Sequence, residues 1–110
     1  MSYNFVKGNF IRGPISLNQL LEFSKFGVNA VRIFLYIRMQ EGVLVSEQLL
    51  DKNEHTFIKL DNKSLEEKVG VHQSNKWDRL RALESKGLIK LKVNGQGKAP
   101  EAKILIPRLH

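Results

Sequence analysis

Apolar positions recur at two different spacings along this chain, and the change from one to the other marks its parts. From Ser16 to about Gln40 the spacing is helical. Ser16-Leu17-Asn18-Gln19 has the form of a capping box, with Ser16 at the cap and Gln19 reaching back. A helix is expected to about Phe26, with Gly27 stopping it and Leu17, Leu20, Leu21 and Ser24 on one face, flanked by Phe23. A second helix, capped by Asn29, should run to about Gln40 and end at Gly42. It carries Ala30, Val31, Ile33, Phe34, Leu35, Ile37 and Met39, too many for one stripe, so it should be buried on several sides. Two readings stay open for it: the central core helix, or a helix that gives Val31, Leu35 and Met39 to a dimer interface.

Residues 1 to 15 read as extended, either a small hairpin or an arm for a neighbouring subunit. Ser46 to Leu50 can make a helical turn, and Asp51 to Glu54 a polar loop. Thr56 to Leu60 reads as a short strand that can pair with strands near the C-terminus. Asp61 or Asn62 then caps a helix through Val69, with Leu65, Val69 and Val71 on its apolar side. Gly70 can take the left-handed geometry that closes helices, and His72 fills the next cap position. A further helix follows from Gln73 to Lys86, with Leu80, Leu83 and then Leu88 forming an inward seam. Two helices joined by a short bend containing glycine form a helix-turn-helix.

After Gly87 the period becomes two. Ile89, Leu91 and Val93 alternate with Lys90 and Lys92, and Ala102, Ile104 and Ile106 return with Lys103 opposite. Between them, Asn94 to Pro100 is a glycine-rich bend carrying Lys98. The expected fold is α+β, mainly α: one winged helix-turn-helix domain over residues 1–110. It has an N-terminal extension (1–15), two core helices (16–42), then strand, helix-turn-helix and wing (56–107).

Charge gives this fold a direction. The net charge is +7, and residues 72–110 hold nine basic side chains against three acidic ones. Residues 1–71 are nearly balanced, with nine basic and eight acidic. The excess therefore sits on the last helix and the wing, as expected for a surface that meets a phosphate backbone. With no cysteine and three histidines far apart, no disulfide, metal or other cofactor is expected. No nucleophile–base pair or carboxylate cluster suggests an enzyme. Gly95-Gln96-Gly97 is no phosphate loop, because it joins two strands and lacks a following helix. Val28 to Met39, the longest apolar stretch, is interrupted by Asn29, Arg32 and Arg38, so no membrane partner is expected. A cytoplasmic, nucleoid-associated protein is the expectation.

The residues proposed to meet DNA are Gln73, Ser74, Asn75, Lys76, Trp77 and Arg81 on helix 73–86, with Lys90, Lys92 and Lys98 on wing 89–106. Gln73 and Asn75 can pair with adenine, and Arg81 with guanine or a phosphate. Ser74 can bond a phosphate near the helix N-terminus. Trp77 either stacks on a sugar or thymine methyl, or packs against the preceding helix. Asp78 repels phosphate and is expected to pair with Arg81 or Lys76, or to accept from a cytosine amine. Lys76 and Arg79 fall where core side chains are common, so buried stems with outward charges are expected.

Residues Val71 to Ile89 resemble the winged helix-turn-helix regulators of bacteria, archaea and their mobile elements, most specifically over Arg81-Ala82-Leu83-Glu84-Ser85-Lys86-Gly87-Leu88-Ile89. Phe10 to Ile15 and Lys76 to Leu80 also resemble small uncharacterised bacterial members of that class. The resemblance implies sequence-specific binding of double-stranded DNA, usually as a homodimer, in transcriptional control; it implies no small-molecule ligand. Replication or partition of a plasmid or phage is the alternative use of such binding, and a protein–protein adaptor is the alternative that dispenses with DNA.

Overall fold

Seven elements follow one another in the computed structural model, which describes residues 16–51 and 54–105. They are α1 (Leu17–Ser24), α2 (Val28–Ser46), β1 (Ile58–Lys59), α3 (Asn62–Val69), α4 (Gln73–Ser85), β2 (Ile89–Lys92) and β3 (Glu101–Ile104). The described residues thus form an α+β domain, mainly helical, with four helices and one three-stranded antiparallel sheet. The expectations for residues 1–15 and for Ile106 lie outside the described residues.

Ser16 caps α1 as expected, its side chain accepting from the Gln19 amide at 3.3 Å. The buried face of α1 differs from the expected stripe. Gln19 and Phe23 point inward, whereas Leu17 is 67% exposed and Leu21 50% exposed. The position of α2 decides this: the Phe23 ring lies 4.7 Å from the Phe34 ring, centroid to centroid, and rotates α1 accordingly.

α2 is longer than its sequence signals imply. It begins after Gly27, whose φ of 95° suits glycine and few other residues, so Asn29 lies inside the helix. It passes through Gly42 and reaches Ser46, and the turn expected at Ser46 to Leu50 forms at Glu47 and Gln48 as the close of this helix rather than as a separate element. A buried ionic cluster spans the glycine. Arg38 donates to Glu41 at 2.7 Å, His55 Nδ1 lies 2.9 Å from the same carboxylate, and the Thr56 amide donates to it at 3.3 Å. Tertiary bonds of this kind override the weak helix propensity of one glycine, a penalty of only about 1 kcal/mol. The cluster also fastens the segment that leads into β1.

α2 is buried on several sides, as its apolar composition predicted, and of the two readings left open it takes the central place, touching α1, α3, α4, β1 and β3. Met39 is buried within the domain, and Val31 and Leu35 are half-buried. The core joins Ile33, Phe34 and Ile37 of α2 to Leu65, Leu80 and Leu83 of α3 and α4, with Ile89 and Ile104 from the sheet. β3 lies in the middle of the sheet, pairing Ile58 with Ala102 on one edge and Ile89 with Ile104 on the other.

Glu41 is 1% exposed and pairs with Arg38 while bonding His55 and the Thr56 amide, so its removal should leave Arg38 buried without that carboxylate. Glu41→Ala is expected to lower unfolding free energy by about 3–5 kcal/mol, measured by urea denaturation. A loss within experimental error would show that the cluster does not hold this region.

Candidate nucleic-acid interface

The site begins at the corner between β1 and α3. The Asp61 carboxylate caps α3 by accepting from the Ser64 amide at 3.0 Å. Burial alone would raise the Asp61 pKa. The bonds from Ser64 and the charge of Lys59 outweigh it and hold the carboxyl below its ordinary 3.8.

α3 ends at Gly70 with φ 70°, and the Val71 amide donates back to the Leu65 carbonyl at 3.2 Å. A side chain at Gly70 would be strained by that φ, and its Cβ would also crowd Arg32 Nη1 at 3.3 Å. Arg32 Nη1 donates to the Gly70 carbonyl at 3.3 Å, tying the bend to α2. His72 Nδ1 caps α4 by accepting from the Ser74 amide at 3.2 Å, and the Ser74 hydroxyl lies 3.0 Å from the same nitrogen.

α4 packs through Leu80 and Leu83, both fully buried. Gln73, Ser74, Asn75, Asp78 and Arg81 are all exposed. Trp77 is half-buried, with the Arg81 guanidinium carbon 5.4 Å and the Lys76 ammonium 5.7 Å from its ring centre. Arg81 is therefore held over an aromatic face, which limits its conformations.

Two cations depart from expectation. Lys76 is 3% exposed and turns inward, donating from Nζ to the Leu60 carbonyl at 3.1 Å. Arg79 also turns inward and donates to the Phe26 carbonyl at 3.1 Å. Both serve backbone carbonyls at the ends of other elements, so neither presents its charge outward as predicted. Asp78 pairs with neither expected partner among the described residues: Lys76 is occupied inside, and Arg81 leans over Trp77.

The β2–β3 hairpin is fastened to α4 by Glu84, whose carboxylate accepts from the Leu91 amide at 3.1 Å. Lys90, Lys92 and Lys98 are exposed, and Lys92 is 3.9 Å from Glu101. Val93 lies beyond the end of β2 and is 61% exposed, so it does not continue the inward row. The Asn94 amide closes the loop by donating to the Ala99 carbonyl at 3.0 Å and to Glu101 at 2.8 Å. A polar cleft of about 1100 Å³ opens between the β1–α3 corner, α4 and this loop, with Lys59, Trp77 and Lys98 among its walls.

Thus Gln73, Ser74 and Asn75 are exposed in the first turn of α4 and Arg81 two turns further on, Trp77 lines the cleft, and Lys90, Lys92 and Lys98 lie on the hairpin. Lys76 is the predicted residue that the fold removes from the surface. Lys59 and Asn62 line the same cleft and were not among the residues singled out from the sequence. Lys59 alternates with buried Ile58 and Leu60, a signal available in the pattern. Asn62 donates to Gln73 at 3.1 Å, which no sequence spacing indicates.

No protein-family model, curated protein or solved structure matches the chain. Among the described residues no group of three or more His, Cys, Asp or Glu side chains is placed to hold a metal. None of the described helices is long and apolar enough to cross a membrane.

Burial pushes the Lys76 pKa below its ordinary 10.5, and the charge of Asp61 offsets part of that. Between the lowered value and 10.5 the unfolded chain holds the extra proton, so folding gains stability as pH rises through this window. Lys76→Met lacks the effect. Urea denaturation of both proteins from pH 7 upward should show the wild type gaining relative to Lys76→Met as pH approaches 10.5. A constant difference would mean that the ammonium is not buried.

Proposed function

We propose that this chain is a winged helix-turn-helix protein that binds double-stranded DNA by sequence, as a homodimer, and regulates transcription. α4 enters the major groove, and the β2–β3 wing lies along the backbone. The observation that carries the reading is the outer side of α4. Ser74, Asp78 and Arg81 are exposed there together, with Gln73 and Asn75 exposed at its flanks in the first turn, while Leu80 and Leu83 are buried. An α-helix with its side chains is about 10–12 Å across, and the major groove is about 12 Å wide. Amide side chains suit adenine and a guanidinium suits guanine, so the residue types match base edges as well as phosphates. Lys90, Lys92 and Lys98 extend the positive surface along the hairpin. The charge excess of residues 72–110 supports a polyanionic partner. The reading is of a binding protein without a catalytic step.

Lys76 leaves the set of DNA-facing residues, because it already bonds a carbonyl inside the fold. Asp78 stays on the exposed side of α4, where it disfavours phosphate and favours a cytosine amine.

Selection from a random duplex pool, followed by fluorescence anisotropy at several salt concentrations, tests the reading. A homodimer should select inverted repeats with half-sites about 10–10.5 base pairs apart, or a multiple of that. Replacing Lys90, Lys92 or Lys98 by Ala should weaken binding to all sequences alike and reduce the salt slope by about 1 for each phosphate no longer neutralised. Arg81→Ala should cost about 1–3 kcal/mol and relax preference at one base pair. Equal loss on every sequence would reassign Arg81 to the backbone, and failure to bind any duplex would end the DNA reading.

A further inference from the structure

Asn62 is the first residue of α3 and Gln73 the first of α4, so the bend at Gly70 brings two helix N-termini together. Between them the Asn62 side-chain amide donates to Gln73 Oε1 at 3.1 Å. Capping does not require Asn62, because Asp61 already serves the N-terminus of α3. Both side chains are exposed, beside a hollow of about 410 Å³ whose rim includes Lys63, Glu66 and His72. An exposed bond between two mobile side chains adds little to stability, since water offers both amides equivalent partners. Its consequence is orientational.

We infer that Asn62 is a positioning residue that presets the Gln73 amide for adenine. This rests on the reading of α4 as the helix that faces DNA. A glutamine amide has an oxygen end and a nitrogen end, and a base contact depends on which one faces it. Asn62 presents an N–H to Gln73 and so draws Oε1 toward α3; the reversed Gln73 amide would require the Asn62 amide to turn with it. In this setting Gln73 keeps both Nε2 protons and one lone pair on Oε1. Adenine carries an acceptor at N7 and an amine donor at N6 side by side on its major-groove edge, so it can engage both ends. Cytosine offers only its amine there, and thymine only O4 beside a methyl group. The bond also holds Gln73 before DNA arrives, which reduces the ordering cost of that side chain on binding.

The test compares wild type, Asn62→Ala, Asn62→Asp, Gln73→Ala and the Asn62→Ala/Gln73→Ala double variant on the selected duplex. Each of the four base pairs is placed in turn at the position where Gln73→Ala loses discrimination. Asn62→Ala should reduce adenine preference there by about twofold to tenfold, the value of one pre-ordered side chain, with affinity for unrelated duplex unchanged. It should have no further effect in the Gln73→Ala background, and its thermal midpoint should match the wild type. Asn62→Asp tests the polarity. A carboxylate only accepts, so it should draw Nε2 inward, turn Oε1 outward and weaken the preference further. An acid in the first turn of α3 is compatible with the helix dipole, so this variant should fold. Undiminished adenine preference in Asn62→Ala, equal losses with and without Gln73, or a Gln73→Ala variant that discriminates normally would each overturn the proposal while leaving the DNA reading in place. Wild-type protein that shows no sequence preference would overturn both.

Discussion

Burial of Leu80 and Leu83 against α2 sets the rotation of α4, and the exposed residues of that helix follow from it. Each such leucine contributes about 1.5–3 kcal/mol on leaving water, more than any rim interaction could oppose. Polar ties then fix the helix along its length. Lys76 bonds the carbonyl just after β1, Arg79 bonds the carbonyl at the end of the α1 turn, and Glu84 bonds the amide of Leu91. A helix held by its apolar seam and by bonds to three other parts of the chain presents one constant outer side. Recognition of a rigid groove needs such a side.

These ties also divide the positive charge by task. Two of the cations on α4 are spent on carbonyls, and the buried cluster of Arg38, Glu41 and His55 holds the approach to β1 from α2. The positive charges left exposed near the proposed interface include Arg81 on the helix, Lys63 on α3 and the lysines on β1, β2 and the β2–β3 loop. Trp77 sits between the inward and outward groups and gives Arg81 a surface to lean on. The proposed interface is thus smaller and more ordered than the total charge of the region suggests.

Sequence reasoning reached the elements that local rules control. Ser16 capping, the left-handed Gly70, His72 at the head of α4 and the seam of Leu80 and Leu83 each depend on a few neighbouring residues. A short strand at Thr56 to Leu60 able to pair with the C-terminal hairpin was legible in the sequence, and the structure pairs it with β3. What escaped depends on distant partners. Gln19 rather than Leu17 faces inward because α2 lies on that side of α1. α2 continues past Gly42 alongside a cluster completed by His55, fourteen residues beyond Glu41. A lysine in an amphipathic pattern says nothing about a free carbonyl sixteen residues earlier, so the inward turn of Lys76 could not be anticipated. The Asn62–Gln73 bond is hidden for the same reason.

The central claim is that the outer side of α4, together with the wing, receives duplex DNA. Titration of isotopically labelled protein with a duplex from the selected pool, followed by backbone and side-chain amide NMR shifts, tests it most directly. The expected result is that the largest changes fall on Gln73 to Arg81 and on Lys90 to Lys98, with the exposed apolar side of α1 at Leu17 and Leu21 unaffected. Changes centred on α1, with α4 unmoved, would contradict it.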